Sequence, residues 1–237
     1  MPTPGTHTFA EKVALITDGA EPVGRAIALQ LALYGAYVIV GYPENSPETE
    51  SALGELRALG TLANAVEADP GQCEGAKLLV DETEKLFGRL DLLINTRTAR
   101  VESGFRETDE AGFTGVFDAC VKSTFFVTRE ALRLMEPRPK PVIVNVAYGG
   151  SENPALSAAQ AALIGLTKSL AKELGTKFRV NCVEILRGED RFPKKEILDP
   201  ELFRPKRGIP EDDVARAVIY LLSSEAVGLN GQVLSVG

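Results

Sequence analysis

Gly19 and Gly24 bracket a G-x-x-x-x-G string directly after an apolar run, the kind of turn that can cradle a phosphate. A P-loop also needs Lys and then Ser or Thr directly after the second glycine, to reach the outer phosphates and their magnesium. Arg25 and Ala26 stand there instead, so P-loop chemistry is dismissed. The chain has one histidine, His7, which leaves no Ser-His-Asp relay and no multi-histidine metal centre to build. Cys73, Cys120 and Cys182 are far apart without a CxxC spacing, so they read as small core residues rather than a zinc site or disulfide frame. No metal site is expected. The acid pairs Glu189–Asp190 and Asp212–Asp213 read as a solvated loop and a helix start.

With 237 residues, 44% hydrophobic and 25% charged, the chain has the composition of a folded globular protein. A net charge of -7 argues against a duplex nucleic-acid binder, which needs clustered Lys and Arg. No apolar run reaches the roughly 18 residues that cross a bilayer, and the first residues resemble no secretion signal. The expectation is a soluble cytoplasmic protein without nucleic-acid or membrane partners.

The elements that must position any site alternate strictly. Short β-branched runs at 12–17, 37–40, 63–68, 90–95, 142–147, 179–185 and 232–236 predict strands. Helical periodicity fills the intervals at 23–34, 47–59, 76–87, 113–135, 154–174 and 211–222. Asn153 suits the N-cap and Pro154 the first position of the fifth helix. Continuous apolar strands between amphipathic helices predict one α/β domain over 1–237: Rossmann-type, doubly wound, with a mostly parallel sheet covered by helices on both faces. Residues 1–10 read as a flexible tail and 187–210 as a lid-like, solvated excursion.

In such a sheet ligands bind at the carboxyl ends of the strands. The runs ITDGAEPVGRAIAL, GRLDLLIN, LIGLTKSLAKELG, RVNCVEI and PEDDVARAVIYLLSSEAVGLNGQVLSVG, in this order, resemble the short-chain dehydrogenase/reductase family, in particular its ketoacyl-carrier-protein reductase-like branch, over 12–236. The resemblance implies a fold that binds NAD or NADP and usually a dimer or tetramer. It also implies positions for the functional residues, and there this chain departs. In the family's Thr-Gly-x-x-x-Gly-x-Gly loop, Thr17 and Gly24 match, but Asp18 and Pro22 replace glycines, leaving Gly19 to serve by a one-residue shift. Pro22 has no N–H for a phosphate, and a carboxylate about 4 Å from one would be repelled by roughly 4 kcal/mol at an effective dielectric of 20. Gly41, Tyr42 and Pro43 after the second strand encode neither NAD nor NADP preference. Asp69 matches the family acid beside the adenine, and Asn95 the first residue of Asn-Asn-Ala-Gly, which continues here as Thr96, Arg97 and Thr98. Thr17, Gly19, Gly24, Asp69 and Asn95 are therefore vestigial cofactor candidates.

The resemblance places the family's Asn, Ser, Tyr and Lys at Cys120, Tyr148, Leu156 and Gln160. Leucine donates no proton, and a neutral amide cannot lower a phenol's pKa as an ammonium does. Lys168 lies two turns beyond Gln160, out of reach. Tyr148 is the one phenol expected at the mouth, as a plug in the vacated nicotinamide pocket. No catalytic residue and no cofactor are expected. The reading is a catalytically degenerate family member, a non-catalytic subunit or scaffold in a homo- or hetero-oligomer with an intact relative. The alternative is a divergent NAD(P)-dependent oxidoreductase acting on a carbonyl or hydroxyacyl substrate.

Overall fold

A computed structural model describes residues 9–43, 47–101, 103–149, 153–186 and 211–237. Seven strands, β1 (Val13–Ile16), β2 (Tyr37–Tyr42), β3 (Ala63–Glu67), β4 (Leu92–Asn95), β5 (Val142–Gly149), β6 (Arg179–Leu186) and β7 (Val233–Val236), form one sheet in the order β3-β2-β1-β4-β5-β6-β7. Every neighbouring pair is parallel, so the expected mostly parallel sheet is wholly parallel. The chain reverses direction across the sheet between β1 and β4, which opens a crevice at their carboxyl ends.

The sheet is covered on both sides. Helices α1 (Pro22–Leu33), α2 (Pro47–Ala58) and α7 (Glu211–Leu222) pack on one face through Ile27, Leu31, Leu53, Leu56, Val218 and Leu221. On the other face lie α3 (Cys73–Phe87), α5 (Ser123–Met135) and α6 (Pro154–Glu173), with Leu79, Val80, Val127, Ala131 and Leu163 buried. Strands buried from both sides have no polar face, which is why they read as continuous apolar runs. Helix α6 starts as expected: the Asn153 carboxamide oxygen accepts the Leu156 N–H at 3.1 Å, and Pro154 opens the helix. Half-buried Arg179 closes α7 from below, donating to the Leu221, Leu222, Ser223 and Ala226 carbonyls.

Two expectations need correction. Phe9, assigned to the tail, is 1% exposed, stacks edge-on against Tyr34, and its N–H donates to the Tyr34 carbonyl; the aromatic ring has more to gain from the core than the short polar stretch around it suggested. The single helix expected over 113–135 is instead α4 (Glu110–Phe117), a π turn (Asp118–Lys122) and α5. Asp109 starts α4 earlier by accepting the Gly112 N–H. At the wide turn, the Ser123 and Thr124 hydroxyls donate to the Ala119 and Cys120 carbonyls, supplying hydrogen bonds for a ladder that has slipped. The excursion 187–210 and residues 1–8 lie outside the described residues.

Candidate functional site

The crevice is built from the loop after β1, the loop after β4 and the end of β5. Asp18 is 3% exposed, and its carboxylate meets Arg97 Nη1 at 3.1 Å. Burial raises the Asp18 pKa, with the Arg97 charge pulling the other way. One turn further on, Glu21 pairs with Arg100 at 2.8 Å on the surface. The two loops are also stitched at their roots: Thr96 N–H donates to Thr17 Oγ1 at 3.0 Å, while Thr96 Oγ1 accepts from Asp18 N–H at 3.1 Å and donates to the Asp18 carbonyl at 3.0 Å.

Two amides of the loop root are engaged by neighbouring strands. Thr17 N–H donates to the Ile94 carbonyl and Gly19 N–H to the Gly41 carbonyl, both at 3.0 Å. Gly19 and Gly24 are both needed for close packing. A Cβ on Gly19 would lie 2.4 Å from Val40 Cβ, and one on Gly24 would lie 1.9 Å from the Asp18 carbonyl oxygen. Asn95 is buried, donating to Asn145 Oδ1 at 2.8 Å and to Thr128, with its own oxygen unpartnered. Exposed Asp69 accepts the Gly71 N–H at 3.0 Å as a turn residue.

Cys120, Leu156 and Gln160 do come together, with the Tyr148 backbone. Gln160 is 4% exposed; its Oε1 accepts the Tyr148 N–H at 3.0 Å, and its Nε2 donates to Cys120 Sγ at 3.5 Å and Thr98 Oγ1 at 3.4 Å. Leu156 packs on the cluster of Cys120, Val116 and Ala159. Burial pushes the Cys120 thiol pKa up, which keeps it neutral. The Tyr148 ring packs against a different apolar cluster. Strand alternation sends it to the opposite face of the sheet from α6, onto the cluster beneath α1 and α7. Burial first, then the charges of Asp18 and Glu21, raise its phenol pKa.

The pattern of a known family fits this geometry. The short chain dehydrogenase family model matches residues 12–186. The chain belongs to the short-chain dehydrogenase family. It is 30% identical to a 3-oxoacyl-[acyl-carrier-protein] reductase FabG of Staphylococcus aureus, over 95% of this chain and 96% of that one. It is 27% identical to hydroxynaphthalene reductase arp2 of Aspergillus fumigatus, over 94% of this chain and 90% of that one. Among solved structures, a short-chain dehydrogenase/reductase from Serratia marcescens superposes with a TM-score of 0.84 at 25% identity, covering 97% of this chain and 98% of that one. A short chain dehydrogenase from Burkholderia cenocepacia in complex with NADP does so with 0.83 at 25% identity, covering 97% of each chain.

Two departures from the short-chain dehydrogenase pattern meet each other in the structure. Asp18 stands for a glycine and Arg97 for an alanine, and the two are ion-paired. Sequence reasoning noted each departure but missed the pairing of Arg97, Thr96 and Thr98 with their neighbours. Opposite charges at two family-small positions were the available signal. Among the described residues no helix is long and apolar enough to cross a membrane.

Proposed function

We propose that this short-chain dehydrogenase is a non-catalytic member of its family, serving as a subunit or scaffold in a homo- or hetero-oligomer with an intact relative. The observation behind this reading is the Gln160 carboxamide. It occupies the position of the family lysine and ties the end of β5, the loop after β4 and the π turn together, and a neutral amide does not lower a phenol's pKa as an ammonium does. Pro22, which offers no N–H at the start of α1, and the Asp18 carboxylate disfavour a pyrophosphate, so the residues present do not fit NAD or NADP. Large apolar groups remain exposed on the outer sides of two helices: Phe113 on α4 at 48% and Phe125 on α5 at 46%. Beside them α6 exposes Ala158, Ala161 and Gly165, small enough for close helix approach.

The alternative, a divergent NAD(P)-dependent oxidoreductase acting on a carbonyl or hydroxyacyl substrate, draws on the named activities of the two reductase relatives. One pair of measurements separates the readings. Calorimetric titration with NAD, NADH, NADP and NADPH, followed by carbonyl-reduction assays, gives neither low-micromolar binding nor turnover if the chain is non-catalytic. Clear turnover abolished by Tyr148→Phe would establish the enzyme reading.

A further inference from the structure

All strands of the parallel sheet start at the end opposite the crevice, and there the chain entering β1, β4 and β5 gathers around one buried carboxylate. Asp91 accepts from the Val13 N–H at 3.0 Å, from Arg89 Nε at 2.9 Å and Nη2 at 2.7 Å, and from Arg138 Nε at 3.3 Å. Both arginines share its Oδ1, which fixes their guanidinium groups side by side. The four-residue strands β1 and β4 set this cluster about 13 Å from the loops at the carboxyl ends.

The cluster carries more positive charge than its acid can neutralise. Arg89, Arg138 and Lys12 bring three positive charges to the one negative charge of Asp91. Lys12 belongs to the group electrostatically: burial lowers its pKa, the Asp91 charge raises it, and the Arg179 and Arg89 charges lower it. Its ammonium lies 5.9 Å from the Phe9 ring centroid and pairs with no carboxylate among the described residues. The exposed acids next along the chain, Glu11 and Glu136, form no ion pair with these cations among the described residues. Arg89 Nη1, both Nη atoms of Arg138 and Lys12 Nζ have no hydrogen-bond partner among the described residues, and none of them is fully buried, so these donors reach solvent. Guanidinium groups fixed in place with outer N–H donors unused suit an oxyanion that takes several charge-assisted hydrogen bonds at once.

We propose that this end of the sheet binds a phosphate group, held by the free Nη donors of Arg89 and Arg138 with Lys12 as the third positive charge. Asp91 acts through the arginines: it orients both guanidinium groups and neutralises one of them. The two positive charges left over match a phosphate dianion, whereas a monocarboxylate would leave one uncompensated. The donors lie at the surface, so the group is accepted as a free ion or as the end of a monoester. This proposal goes beyond the subunit reading and holds whether or not the crevice takes a dinucleotide.

The test is calorimetric titration of the full chain at low salt and about pH 8, where phosphate is a dianion, with inorganic phosphate, glycerol 3-phosphate and acetate. Expected is saturable binding of both phosphates with a Kd of about 1 mM or tighter, and acetate binding at least about tenfold weaker. Glycerol 3-phosphate binding tighter than the free ion assigns the group to a metabolite, and binding no tighter assigns the free ion; either result upholds the site. Arg138→Gln leaves Asp91 bonded to Arg89 and Val13, so it folds, and it weakens phosphate binding by about tenfold. Lys12→Gln also weakens binding, while Arg129→Gln, an exposed arginine paired with Glu130 on α5, leaves it unchanged. No saturation of the unmodified protein by either phosphate up to roughly 20 mM overturns the proposal, as does a Kd that Arg138→Gln and Lys12→Gln leave unchanged or that Arg129→Gln raises equally. Acetate binding as tightly as phosphate overturns the phosphate assignment.

Discussion

Asp18 and Arg97, 79 residues apart in sequence, form a 3.1 Å ion pair across the crevice where family members carry a glycine and an alanine. The pair joins the loop after β1 to the loop after β4 with side chains 4% and 23% exposed. Its members are therefore expected to act as a unit. Arg97→Ala, which abandons a buried carboxylate, costs about 3 kcal/mol in urea unfolding. The double variant Asp18→Gly with Arg97→Ala costs less than that single change. Additive losses in the double-variant cycle would show that the two are not coupled.

Gln160→Leu keeps the volume but strands the Tyr148 N–H, for an expected loss of about 1 to 3 kcal/mol by chemical denaturation. Leu156→Tyr with Gln160→Lys does not create carbonyl-reductase activity while Asp18 and Pro22 remain, because the relay alone brings no dinucleotide. Turnover by this pair of substitutions in an NADPH-consumption assay would refute the claim.

A different carboxylate governs acid sensitivity. Burial would raise the Asp91 pKa, but hydrogen bonds from Arg89, the Val13 N–H and Arg138 outweigh it and hold the native value below the ordinary one. The native state then binds fewer protons than the unfolded chain. Its stabilisation is full above the ordinary carboxylate range and is lost as pH falls through the depressed native value. Asp91→Asn is accordingly destabilised at neutral pH, and its deficit against the unmodified protein shrinks on acidification. A deficit independent of pH in urea titrations would contradict this assignment.

Assembly is expected through the aromatic face of α4 and α5. Light scattering should find a dimer or larger species, alone or mixed with an intact family member. Phe113→Glu with Phe125→Glu should shift it toward monomer without lowering the thermal midpoint of the monomer. A strict monomer at tens of micromolar that forms no mixed species would rule this surface out.

Much of the fold was readable from periodicity, because strands buried on both faces must be apolar throughout and helices must alternate with them. The start of α6 was visible in Asn153–Pro154, where capping chemistry is local. The π turn was not visible, since its cause is a slipped ladder rescued by the Ser123 and Thr124 hydroxyls, and both residues are ordinary in helices. Nor was the burial of Phe9, whose partner Tyr34 lies at the far end of α1. At the candidate site the departures from the family pattern are visible at single positions. What replaced them could not, because the Asp18–Arg97 pair and the Gln160 bonds join segments far apart in sequence.

The π turn between α4 and α5 also sets a phase. In an uninterrupted α-helix, residues 113 and 125 would point about 120° apart around the axis. The one residue absorbed by the wide turn takes back about 100° of that, so Phe113 and Phe125 project within about 20° of the same direction. The turn that seats Cys120 beside Gln160 thus also brings two separate aromatic rings into line on the outer surface. Removing one residue from 118–122 would rotate α4 against α5 by more than a quarter turn, disturbing the inner cluster and the outer face together.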